Sequence, residues 1–146
     1  MSDLVEFLRA RLDEDEQTAT AATSATFGED PTWTSKDDGT GEQTHGYVMA
    51  DHTAICGHDG DDVLLPVADH IARHDPVRVL REVEAKRRVI DECAEVLDVG
   101  GWEYDDAPEL AWNTACSLAA VYSDHPDYQQ EWAIPADGLI HGHRVG

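Results

Sequence analysis

Two histidines, His70 and His74, stand four residues apart and are followed at once by Asp75. On a helix that spacing puts both imidazoles on one face, as paired zinc ligands require. A divalent metal held by His70, His74 and Asp75, with His125 or Asp124 as a further ligand, would lower the pKa of a bound water and supply a hydrolytic nucleophile. No glutamate follows the first histidine, so the H-E-x-x-H pattern and its general base are missing. Asp75 also precedes Pro76. An aspartate there has a second use, capping a helix whose first residue is proline.

A second group of chemical interest is aromatic. Trp112, Tyr122, Tyr128 and Trp132 accompany the polar run from Ser123 to Asp127. Such rings either fold a C-terminal turn back onto the helices or, where exposed, anchor a protein partner. The positive charges form a third group. Arg73, Arg78, Arg81, Lys86, Arg87 and Arg88 supply six of the ten Lys and Arg within sixteen residues. Glu82 and Glu84 stand four before Lys86 and Arg88, the favourable order for helix ion pairs. With no glycine-rich cradle beside them, these arginines suit a salt-bridged face or a clamp onto an acidic helix better than a phosphate site.

Other motifs are weaker. The run from His58 to Asp62 lacks the ordered ligands and final glutamate of a calcium loop and reads as a polar turn. There is no G-x-S-x-G elbow. Cys56, Cys93 and Cys116 are odd in number, 37 and 23 residues apart, and form no C-x-x-C pair, which suits a reduced cytoplasmic protein.

Charge narrows the partners. Thirty-one Asp and Glu against ten Lys and Arg give a net charge of −21. Such a surface repels duplex nucleic acid and anionic membranes, and it steers towards a basic protein partner or serves solubility or salt tolerance. In its sharpest form, acidity of this kind mimics nucleic acid. The start of the chain has no basic region followed by an apolar core, so no signal peptide is expected, and no apolar run is long enough for a membrane span.

The elements that must position these groups follow from periodicity. Leu4, Val5, Leu8 and Leu12, with Phe7, predict an apolar stripe on a helix over residues 3–22, with Ser2 or Asp3 as cap. Residues 23–62 form a β-rich insert with strands at 32–36, 45–49 and 53–56 and a turn at Asp37-Asp38-Gly39. Residues 65–122 are helical. A short helix ends near His74. A long one runs from Pro76 to about Asp98 on Leu80, Val83, Ile90, Cys93 or Ala94, and Leu97. A last one runs from about Asp106 to Tyr122 through Leu110, Ala111, Cys116, Leu118 and Val121. A helical turn is expected around residues 128–132 and a flexible tail over 133–146. The fold class is therefore α+β in a single domain, with three to four helices packed on a small two- to three-stranded antiparallel sheet.

Three stretches carry a family resemblance: LVEFLRARLDEDEQ at 4–17, HIARHDPVRVLREVEAKRR at 70–88 and YSDHPDYQQEW at 122–132. In them the chain resembles small acidic actinobacterial and actinophage proteins grouped as a domain of unknown function. The resemblance implies a bacterial protein associated with phage or mobile elements and implies no activity. The family pattern ends soon after the segment matching Glu131 and Trp132, whereas this chain continues for fourteen residues. The residues together favour a non-catalytic interaction or accessory module, with the aromatic group as binding residues. The alternative is a small metal-dependent hydrolase at His70, His74 and Asp75. The oligomeric state is left open.

Overall fold

The computed structural model describes residues 2–26, 31–39, 45–57, 63–99 and 106–135. Four helices and four strands lie among them: α1 (Asp3–Ala25), β1 (Trp33–Asp37), β2 (His45–Ala50), β3 (Thr53–Cys56), β4 (Val63–Leu64), α2 (Leu65–Arg73), α3 (Pro76–Val99) and α4 (Ala107–Ala119). Two 3₁₀ turns, Ala120–Tyr122 and Gln130–Trp132, complete them. The class is α+β, with one more strand than the sequence predicts. β4 has only two residues, too few to show any period. The predicted loop at 58–62 and the tail beyond 135 lie outside the described residues.

The chain divides into two compact units, one formed by residues 1–14 with 84–146 and the other by residues 15–83. In the first, Leu4, Val5, Leu8 and Leu12 are buried with Phe7, as their helical spacing requires. Ile90, Cys93 and Ala94 give α3 its buried face there. Arg87 reaches Asp13 at 2.7 Å and Arg9 reaches Asp91 at 3.0 Å. The basic helix thus clamps the acidic one. The expected i,i+4 pair of Arg88 with Glu84 forms at 2.6 Å.

In the second unit, β2 is the central strand. β1 pairs along it antiparallel from Trp33 opposite Ala50 to Asp37 opposite Gly46. On its other side β3 and then β4 pair antiparallel, with an irregularity between Val48 and Met49. Alternation along β2 buries Gly46, Val48 and Ala50, and α2 packs against β1 and β2. The approach is close enough to require glycine at 46. A Cβ there would meet Leu65 Cδ1 and the Lys36 carbonyl oxygen at 2.7 Å each. The two-residue link Asp51-His52 places Asp51 at φ 50°, a left-handed value that aspartate tolerates in a hairpin turn. The turn expected at Asp37-Asp38-Gly39 forms with the Gly39 N–H donating to Asp37 Oδ1 at 2.8 Å and φ +78° at the glycine.

α1 runs three residues beyond its predicted end. There Thr23 and Ser24 turn their hydroxyls back onto the carbonyls of Ala19 and Thr20, the bonding such residues adopt inside a helix. No described helix is long and apolar enough to cross a membrane.

Candidate functional site

The end of α2 brings together part of the predicted metal group. His70 and His74 are exposed, and their rings lie 4.4 Å apart, centroid to centroid, at 39°. His74 terminates the helix, its backbone N–H bonding the carbonyls of His70 and Ile71. Its Nδ1 lies 2.8 Å from the His70 carbonyl oxygen. A carbonyl can only accept, so Nδ1 carries a proton, which in the neutral ring puts the lone pair on Nε2.

Asp75 is engaged differently. Its Oδ1 accepts the Arg78 backbone N–H at 2.9 Å, which caps α3, and its Oδ2 accepts the Trp33 N–H at 3.1 Å. At 7% exposure the carboxylate ties the start of α3 to the first residue of β1. Capping, the second use read from the sequence, is therefore realised. Among the described residues, no three or more His, Cys, Asp or Glu side chains gather as a metal cluster.

His125 belongs to the other unit, in the turn that follows α4. Its Nδ1 lies 2.9 Å from Arg11 Nη1 and accepts the Asp127 backbone N–H at 3.1 Å. Guanidinium can only donate, so the His125 proton sits on Nε2. Arg11 is buried, and its Nη2 also meets Glu14 Oε1 at 2.9 Å. Its guanidinium lies 5.0 Å from the centroid of the Phe7 ring. Around Phe7 stand Tyr122, His125, Tyr128 and Trp132 at 5.1–6.3 Å.

Three of the four aromatic residues expected to bind a partner are thus drawn against Phe7 on α1. Trp132 is 2% exposed and has almost no surface to offer. Tyr122 and Tyr128 are half-buried, and burial next to Cys116 pushes the Tyr128 hydroxyl pKa up. Trp112, on α4, is half-buried as well. Sequence reading missed Arg11. The available signal was a lone arginine four residues after Phe7, inside the apolar stripe.

α4 departs most from expectation. Its buried face consists of small side chains, Ala111, Ala115, Cys116 and Ala119. Leu110 and Val121, expected in the core, are 68% and 64% exposed. Small residues permit closer packing of helix backbones; Leu110 is left facing outwards while Leu118 stays half-buried. Thr114 and Ser117 follow Leu110 at helical spacing, and Val121 lies in the 3₁₀ turn just after the helix. Their hydroxyls donate inwards to the carbonyls of Leu110 and Asn113 at 2.7 and 2.8 Å. Glu109 is the only charged residue in α4.

A model of the Family of unknown function (DUF6221) matches residues 1–134. The chain belongs to that family. The match takes in all four helices, the sheet and the turn that carries His125 and Trp132. No curated protein and no solved structure matches the chain.

Proposed function

We propose that the chain is a non-catalytic interaction module that docks through the outer face of α4. The observation that carries this reading is the face formed by α4 and the 3₁₀ turn after it. There Ala111, Ala115, Cys116 and Ala119 are buried, while Leu110 on α4 and Val121 in the turn are exposed with no charged residue between them. A neutral apolar face on a chain of net charge −21 suits a partner that offers an apolar patch rimmed by Lys and Arg. Two copies of the chain would repel each other by the same charge, so a basic protein fits the face better than a second copy. The aromatic turn then has a supporting role, since Trp132 packs on Phe7 and His125 bonds Arg11 of α1. The resemblance to actinobacterial and actinophage proteins supports a bacterial or phage setting for the partner.

A hydrolase at His70, His74 and Asp75 is less well supported, because two backbone N–H groups already hold both Asp75 oxygens.

The test is affinity capture from the source organism's lysate with the native chain and with Leu110→Ser/Val121→Ser, at low and high salt. The reading expects a basic protein bound by the native chain, lost with the double variant and weakened by salt. Equal capture by both chains contradicts it.

A further inference from the structure

We propose that His70 and His74 form a two-histidine chelate for a divalent transition-metal ion, with water filling the other coordination positions. This inference is independent of the docking face on α4.

The geometry supplies the argument. A metal about 2.1 Å from an imidazole nitrogen lies about 3.2 Å from the ring centroid. Two imidazoles at right angles on the ion, as in a tetragonal copper or nickel site, therefore have centroids about 4.5 Å apart, and two in a tetrahedral zinc site about 5.2 Å. The observed separation is 4.4 Å. His74 also has the support that metal-bound histidines usually have. Its Nδ1–H is fixed on the His70 carbonyl at 2.8 Å, which orients the ring and leaves Nε2 as the ligand atom. Both side chains are exposed, so an ion can reach them without opening the fold.

The electrostatics add to this. The pair sits in the last turn of α2, where the helix dipole favours a cation, and the chain as a whole carries −21. The nearest opposing charge in sequence is Arg73, between the two histidines. Asp69, just before His70, accepts the Ser35 hydroxyl at 2.5 Å and keeps a negative charge close by.

Imidazole ligands select the ion. Copper binds most tightly in such a pair, nickel and zinc less so, and calcium and magnesium, which demand oxygen ligands, do not bind. Joining two ligands on one helix turns the second bond into an intramolecular step, so loss of either histidine weakens binding on the order of 100-fold.

The experiment is calorimetric titration of the native full chain with NiCl₂. The same titration is run on His70→Gln, on His74→Gln and on a His141→Gln/His143→Gln control. One saturable site per chain is expected, lost in both α2 variants and kept in the control. Thermal melting adds a readout that does not depend on calorimetry. Nickel should raise the Tm of the native chain, but not that of either α2 variant, whose metal-free Tm should match the native one. Binding that survives His70→Gln and His74→Gln, or that disappears with the tail pair instead, overturns the proposal.

Discussion

Replacing Arg11 should destabilise the unit built from the two ends of the chain, and the size of the loss can be worked from its contacts. The bond to His125 Nδ1 at 2.9 Å is charge-assisted and part-buried, worth about 1.5–3 kcal/mol. Glu14 is more than half exposed, so its bond adds only about 0.5 kcal/mol. The guanidinium over Phe7 at 5.0 Å adds about 1 kcal/mol. Arg11→Met, which keeps the aliphatic stem but loses these contacts, should therefore cost about 3–4.5 kcal/mol, and Arg11→Ala about 1 kcal/mol more. Urea unfolding followed by both tryptophan fluorescence and far-UV dichroism measures the loss and shows whether the two units unfold together. A double-mutant cycle of Arg11→Met with His125→Ala isolates the central pair. A coupling energy of about 1–2 kcal/mol is expected. Coupling indistinguishable from zero would refute the reasoning, since the two side chains would then contribute independently.

Other consequences follow from single positions. Asp75→Ala removes a helix cap and leaves the Trp33 N–H without its acceptor, a loss of about 2–4 kcal/mol measurable by urea unfolding, with Asp75→Asn in between. Gly46→Ala should cost about 1–3 kcal/mol because the added Cβ meets the Lys36 carbonyl on β1 and the Leu65 side chain on α2; no loss there would contradict the close approach of both to β2. Burial raises the Cys116 thiol pKa to about 11 and also raises that of Cys93, where Glu92 adds to the effect. With the folded pKa above the unfolded one, stability should be level below about pH 9 and fall as pH rises towards 11, by up to roughly 3 kcal/mol for Cys116. In the native chain near pH 8, a thiol reagent should label half-buried Cys56 and spare Cys93 and Cys116 until the chain is unfolded.

Much of the fold was legible because long helices repeat their signal. Leu4, Leu8 and Leu12 mark α1 several times over, and Asp75-Pro76 marks the start of α3 by cap chemistry that the structure realises in two hydrogen bonds. Alternating strands were found to within a residue or so, whereas β4 was too short to carry a pattern. On α4 the expected Ala111 and Cys116 are buried and Leu118 is half-buried, whereas Leu110, and Val121 in the turn beyond the helix, are exposed. Hydropathy ranks Leu110 and Val121 above alanine, and only the row of Ala111, Ala115 and Ala119 hinted that this helix packs by close approach. Spacing was a good guide to neighbours on one element, as with His70 and His74. It was a poor guide to long-range partners, and nothing local to Arg11 or His125 foretold that residues 114 positions apart would meet.

The docking face on α4 can be tested most directly by site-specific photocrosslinking in the source cell, with a benzophenone-bearing residue placed at position 110 or 121 and, as an exposed control on α3, at position 85. The account predicts one discrete crosslinked species, containing a basic protein, from positions 110 and 121 and none from 85. No crosslinked species at any position, or the same products from all three, would contradict it.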